Sequence, residues 1–438
     1  MRKNKKTMKK GIIKTFLLLV LTLVLLGSLP AQNSLSLSVE GAVTYALENN
    51  KMMRNAQLSV EESQAAYRAT LLQGLPQVEA RLDYQNYFNA MAYLGPMTFT
   101  FNPTSNLNLS VGQLIFSGSY IVGLQMQKIY QEITEVNYRK TDIDIRAQVM
   151  SSYYLVLISQ RSLEILEQNV ENMEDVIEKT RALVLVGILD ETDFDQIALQ
   201  KTNIENAVKS AERQIELATN LLRMQLGVNA QTDIILTDDL FSILAQSNVN
   251  KTLQTPYDVQ NNYDFQLMVL QRDISKKRIN MERAKFLPTI TGFYNYTEKI
   301  KKPELDFSPK NVIGLNVNIP IFSSGSRYFG LKQAKIQYQS VQNQMDFVSD
   351  QLSIQEKQLR QNLKTAIELY EAQSENIELA RRVYQNIYRK YEQGVISGLD
   401  MTTASTNLLQ AENSYIMAIM QLLDAKTALD KFLNQIQY

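Results

Sequence analysis

Val111-Gly112-Gln113-Leu114-Ile115-Phe116-Ser117-Gly118-Ser119 and Val317-Asn318-Ile319-Pro320-Ile321-Phe322-Ser323-Ser324-Gly325-Ser326 are two copies of one passage, with Gly118 against Gly325 at an offset of 207 residues. In each copy the hydrophobic period changes from two to that of a helix, so a strand hands over to a helix at a glycine. Upstream, Asn50 precedes Pro76 by 26 residues and Asn262 precedes Pro288 by 26, here at an offset of 212. Downstream, Gly187 and Gly394 each lie 69 residues beyond the first glycines, and Leu226 pairs with Leu433. The chain is a tandem duplication over roughly 40–227 and 255–436. The change in offset falls between the two strands of each half, where a loop absorbs it.

Around those passages each half repeats one order of elements. Residues 40–73 have helical spacing until Pro76. Then Val78, Ala80, Leu82 and Tyr84 alternate with Glu79, Arg81, Asp83 and Gln85, and Leu107, Leu109 and Val111 alternate with Asn108, Ser110 and Gly112. The second half repeats this with Ile290, Gly292, Tyr294 and Tyr296, then with Ile313, Leu315, Val317, Ile319 and Ile321 against Gly314, Asn316 and Asn318. Four strands of bilayer length, each with one apolar face, are the result. A half-buried strand of a soluble sandwich has the same alternation. The chain, however, offers no further strand-rich segment to form a second sheet, and Phe88, Tyr93, Phe99, Phe101, Phe293, Tyr294, Tyr296 and Phe307 cluster near the strand ends, as an interfacial girdle requires. Residues 89–105 and 298–311 read as surface loops.

After the strands, 119–186 and 326–393 contain no proline and one glycine each, near the start. At 1.5 Å per residue such a helix spans ~100 Å. Two apolar stripes follow the coiled-coil period on the first, one through Ile129, Val136 and Ile143 and the other through Val149, Val156 and Leu163, so it has neighbours on two sides. A ring of helices fits two seams; an antiparallel bundle is the alternative. Gly187 and Gly394 suit helix C-termini. The returning helices, 192–227 and 399–435, open at Asp190 and Ser397 with Asp193 and Asp400 three positions on, as in capping boxes. They are half as long as the outgoing ones, and the helices 40–73 and 257–286 can complete that length end to end. Residues 228–256 are a connector with one short strand at 233–237.

The 438 residues hold 45 basic and 45 acidic groups and no Cys or His. Disulfides, Cys/His metal clusters and His-assisted nucleophiles are thereby excluded, and no phosphate-binding loop or paired acids stand out. The sequence predicts no enzyme and no cofactor. Seven basic residues in 1–14 precede an apolar run from Thr15 to Leu26 and small residues ending at Ala31, the pattern of a secretory signal over 1–31, with an uncleaved anchor as the alternative. Its removal leaves a net charge of about −7, which speaks against a nucleic-acid partner. The organisation is then signal 1–31, first repeat 32–227, connector 228–256 and second repeat 257–438. Four strands cannot hide their edges in lipid, so the chain must oligomerise. A dimer reaches eight strands with a filled interior, whereas a trimer leaves a lumen.

Taken with Pro320-Ile321-Phe322-Ser323-Ser324-Gly325 and Tyr391-Glu392-Gln393-Gly394-Val395-Ile396-Ser397-Gly398-Leu399-Asp400, this order of elements resembles the TolC-like outer-membrane efflux proteins over essentially the whole mature chain. The resemblance implies a mainly helical fold with a transmembrane β-barrel portion: a homotrimer whose four strands per chain close a twelve-stranded barrel in outer-membrane lipid, above a periplasmic helical tunnel. It implies a passive exit duct working with a periplasmic adaptor (membrane fusion protein) and an inner-membrane pump, exporting drugs, toxins or proteins. Glu79, Arg81, Asp83, Asn108, Asn316 and Asn318 then line water in the barrel. Asp400, Asp193 and Tyr391 fall at constriction or latch positions, where Ile396 and Thr403 replace the family's Arg and second Asp; plain helix capping is the other role for the two aspartates. Gly187, Ile188, Leu189, Gly394, Val395 and Ile396 form the tips that would meet the adaptor. The rival class is a secreted or periplasmic coiled-coil scaffold or adaptor without a channel, although an adaptor's Gly-rich β module is missing.

Overall fold

The structure, a computed structural model, describes residues 34–88, 90–302 and 308–436. The expected signal segment and Phe307 lie outside the described residues. Its backbone is a four-stranded antiparallel sheet, in the order β2 (Gln77–Gln85), β5 (Thr104–Ser117), β7 (Thr289–Lys301), β8 (Asn311–Asn318), continued by long helices. Among the described residues, the outer edges of β2 and β8 have no partner strand. β8 stops at Asn318, short of the expected Ile321, since Pro320 has no N–H to give to a ladder.

Helices α1 (Val39–Asn49), α2 (Lys51–Leu72), α3 (Gly118–Leu185) and α4 (Glu191–Leu226) build the first half; α7 (Tyr263–Ala284), α8 (Ser326–Glu392) and α9 (Gly398–Phe432) build the second. Both expected outgoing helices are thus present at almost full length. α3 packs between α2 and α7 near the strands and between α4 and α9 farther down, which accounts for its two seams. α8 packs on α7 and α9, and Ile336, Phe347, Ile354, Leu379 and Val383, spaced by near-whole turns, remain exposed on it.

Two expectations are corrected. The helix expected over 40–73 breaks at Asn50, whose extended backbone (ψ 130°) separates α1 from α2. The buried Asn50 side chain accepts from Met52 N–H at 2.7 Å, capping α2, and donates to the Gln225 carbonyl at 2.6 Å in the last turn of α4. Asn262 does the same in the second half, capping α7 and donating to the Phe432 carbonyl of α9 at 3.3 Å, and it delays the start of the helix expected from 257 to Tyr263. Short helices do meet long ones end to end, and an amide is the side chain that can serve both orphaned ends.

The second correction concerns the loops. Residues 89–105 carry a hairpin, β3 (Met91–Leu94) with β4 (Met97–Thr100), while β7 continues to Lys301. In the connector, the expected strand is β6 (Asp233–Leu236), paired in parallel with a strand the sequence reading missed, β1 (Ser34–Leu37). The short helices α5 (Leu240–Gln246) and α6 (Val249–Gln254) follow. This belt is tied to α3 by the fully buried Tyr153, whose hydroxyl lies 2.9 Å from the Leu37 carbonyl and 3.0 Å from the Asp238 carboxylate and shares its one proton between them. Burial holds that phenol neutral, far above its ordinary range.

Candidate functional site

Strand register places Val78, Ala80 and Leu82 opposite Val111, Leu109 and Leu107, and these in turn beside Tyr294 and Tyr296, which face Ile313 and Asn311. One face of the sheet is therefore apolar across all four strands, with Leu82 64% and Ile313 84% exposed. Glu79, Arg81, Asp83, Asn108, Asn316 and Asn318 share the other face, as the alternation predicts. There Asn108 donates to Asp83 at 2.7 Å and accepts from Thr297 at 2.8 Å, a polar row across three strands. Phe293 is on this polar face, against Gly314. Neighbours along a strand point opposite ways, so it does not belong to one girdle with Tyr294 and Tyr296.

At the other end, ~100 Å of helix away, the two tips are built alike. Gly187 (φ 75°) and Gly394 (φ 68°) take the left-handed conformation. Ile188 N–H reaches the Leu183 carbonyl at 2.9 Å and Val395 N–H the Lys390 carbonyl at 3.1 Å, the six-to-one bond that closes a helix C-terminus. Leu185, Val186, Ile188, Val395 and Leu399 are exposed. Leu189 and Ile396, by contrast, pack into the tip core around Met173, Val176, Ile197, Tyr391 and Met401. The Ile188 methyl lies 2.9 Å from where a Cβ on Gly394 would stand, so the tips touch.

Asp193 joins the two repeats: one carboxylate oxygen accepts from Gly398 N–H at 2.9 Å and the other from Asp190 N–H at 3.3 Å. A Cβ on Gly398 would stand 2.9 Å from that carboxylate, so this approach requires glycine. Exposed Asp400 accepts from Ser397 N–H and from Ser397 Oγ at 2.9 Å, a capping box. Tyr391 is fully buried, 2.5 Å from the Thr180 hydroxyl; burial first, and the Asp193 charge second, push its pKa up.

The group that sequence reasoning missed lies one to two turns inward. Lys179 of α3 donates to Glu392 of α8 at 2.7 Å, to Asp175 at 2.9 Å and to the Tyr388 hydroxyl, which itself donates to Asp175. Its ammonium is also 4.7 Å from the centre of the Tyr388 ring, and Tyr384 stacks on Tyr388 at 6.1 Å. The Tyr388 hydroxyl, and after it Lys179, hold the Asp175 carboxyl below its ordinary 3.8; Glu392 first, then Tyr388, raise the Lys179 pKa. Tyr384 is pushed up to about 12, mainly by burial. Only the polar residues at four-residue spacing, Asp175/Lys179 and Tyr388/Glu392, hint at this clasp in the sequence, and any solvated helix face has such pairs.

Sheet, long helices and paired tips define an outer-membrane channel with a helical extension, and the comparisons agree. The family described as outer membrane efflux protein matches residues 42–228 and 259–435. The chain is 25% identical over 415 residues to the probable efflux pump outer membrane protein TtgC of Pseudomonas putida strain KT2440, across 91% of this chain and 83% of that protein. It is 24% identical over 399 residues to the cation efflux system protein CusC of Escherichia coli O157:H7, across 86% and 82% of the two chains. A crystal structure of CusC superimposes with a TM-score of 0.75 at 17% identity, covering 90% of this chain and 91% of the other. The chain belongs to the outer membrane efflux protein family. It is a passive channel of the outer membrane and not an enzyme; its family forms homotrimers that work with periplasmic adaptors and inner-membrane pumps.

Proposed function

We propose that the apolar tip, Gly187 to Leu189 with Gly394 to Ile396, docks the helical hairpin of the periplasmic adaptor, and that the contacts behind it keep the tunnel closed until docking. The observation that carries this is the exposure of Leu185, Val186, Ile188, Val395 and Leu399 at the end farthest from the barrel, where a soluble surface would be polar. Leu189 and Ile396 serve from below, as the core on which that surface rests.

The closing contacts fall in two layers. The Lys179 clasp and the Tyr391–Thr180 bond hold α8 to α3, and Asp193 holds the start of α9 to the first tip. Separating α8 and α9 from α3 and α4 opens the tunnel and breaks both layers. Asp400, repeated around the three-fold axis, concentrates negative potential at the mouth while it caps α9. At the membrane end, β8 of one protomer pairs with β2 of the next to close twelve strands; the free stripe of α8 meets the exposed Leu199, Leu217 and Leu221 on α4 of the neighbour. Glu79, Arg81, Asp83, Asn108, Asn316 and Asn318 then line the lumen. That lining carries both signs of charge and many amides, which suits a duct whose cargo, whether drug, toxin or protein, is selected by the pump.

Replacing Ile188 and Val395 together by Asp tests the docking surface. Export is expected to stop while trimers still form in the outer membrane; normal export in that variant overturns the assignment.

A further inference from the structure

We infer that the second repeat carries a clamp for anionic phospholipid headgroups, on the helix ends just below the barrel. In residues 274–288 and 319–335 the chain has Lys276, Lys277, Arg278, Arg283, Lys285, Arg327, Lys332 and Lys335 against one acidic residue, Glu282. The corresponding segments of the first repeat, 62–76 and 112–128, hold only Arg68 and Lys128 against Glu62. The same place in the fold is therefore nearly neutral in one repeat and strongly basic in the other, so the architecture does not itself demand this charge.

The cluster adjoins the lipid-facing surface without a gap. Where β8 ends, Ile319, Ile321 and Phe322 are exposed, Ile321 at 90%, and Phe286, Leu287, Tyr328 and Phe329 are exposed beside them. Aromatic and apolar side chains in such a band mark the level where a bilayer passes into its headgroups. Lys276 lies eight residues before the end of α7 and Lys335 nine after the start of α8, so every charge is within ~15 Å, along its helix, of the end that meets the strands. Lysine and arginine there can lay their stems on the apolar band and their charges at the phosphates.

Four of these groups are engaged within the protein, the exposed Arg283 only through Asn280 at 3.3 Å. Arg327 donates to the Pro320 carbonyl at 2.7 Å and to Ser323 at 2.9 Å, and its guanidinium lies 5.2 Å from the centre of the Phe286 ring; Lys277 donates to Gln125 and Lys285 to Glu282. They fix the turn. Lys276, Arg278, Arg283, Lys332 and Lys335 are exposed. Charge complementarity and continuity with the barrel's apolar face select an anionic phospholipid of the periplasmic leaflet, a partner that needs no pocket and whose attraction falls off within a Debye length of ~8 Å.

The experiment uses the full-length trimer and a variant with Lys276, Arg278, Arg283, Lys332 and Lys335 each changed to Gln, which leaves Arg327, Lys277 and Lys285 in place. Co-purified phosphatidylglycerol per trimer is measured after mild detergent extraction. Thermal unfolding of the trimer is followed with added phosphatidylglycerol, phosphatidylcholine, glycerophosphoglycerol or inorganic phosphate. The clamp requires stabilisation by phosphatidylglycerol alone, and a fall of more than about tenfold in its affinity in the variant. Equal stabilisation by phosphatidylcholine, or an unchanged phosphatidylglycerol effect in the variant, overturns the inference. So does an equal effect of the soluble phosphates, which would make this a site for a free anion. A variant with normal lipid response but altered ion selectivity in planar bilayers places these charges in the lumen and also overturns it.

Discussion

Lys179→Met takes the centre out of the clasp between α3 and α8. The substitution keeps an unbranched side chain one atom shorter, with similar helix propensity, but leaves Asp175, Glu392 and the Tyr388 hydroxyl without their common donor. The Lys179 side chain is 35% exposed and its acidic partners 51% and 40%, so solvent screens both pairs. The Asp175 pair lies within α3 and survives opening, so the closed tip loses the Glu392 pair, worth ~0.2–1 kcal/mol, and the hydroxyl contact, about 1 kcal/mol per protomer in all. That corresponds to a rise of ~5-fold in the ratio of open to closed tips. Single-channel recordings of the purified trimer without adaptor measure this directly, as longer and more frequent openings. Lys179→Arg keeps the charge and is expected to fall between the two. An open probability within about twofold of the parent, from a variant whose trimer is intact, refutes the reasoning: the clasp then serves stability only.

Asp400→Asn is expected to weaken cation selectivity and block by multivalent cations in planar bilayers with little change in fold, whereas Asp193→Ala, which loses the bond to Gly398, should chiefly destabilise the closed tip; identical conductance in both leaves the aspartates as helix caps. Asn50→Ala removes a cap and strands a buried carbonyl, so thermal or denaturant unfolding should show a loss of about 2 kcal/mol, with a matching loss for Asn262→Ala. Acid should open the clasp only far below neutrality: Asp175 has its folded pKa lowered from 3.8, so its contribution is fully present above that value and disappears as pH falls through the lower folded one. Tyr388, raised above 10.0 chiefly by burial and then by Asp175, keeps its proton up to alkaline pH. Open probability should therefore be flat from about pH 6 to 9, and steep opening inside that window would be evidence for another titrating group.

The sequence by itself determined the class of fold. A duplicated passage around Gly118 and Gly325, strands of period two, and helices uninterrupted from 119 and 326 all arise from local rules: proline and glycine punctuate, and hydrophobic period separates strand from helix. The polar face of the sheet was legible for the same reason, since alternation alone puts Glu79, Arg81 and Asp83 on one side. Asp193 and Asp400 were legible as caps because a cap is local too. What the three-dimensional arrangement alone decided were contacts between segments far apart in the chain. Asn50 and Asn262 stand out in the sequence as repeat markers, yet their double role depends on carbonyls 175 and 170 residues away. The four residues of β1 became a strand only by pairing with β6. Tyr391, an apparent latch residue on an exposed tip, is buried against Thr180, and the clasp behind it joins residues 213 apart through side chains that, read singly, look like ordinary solvated charge. Periodicity reports which face of an element is buried; which partner covers that face is set by packing, and packing joins residues that no local pattern relates.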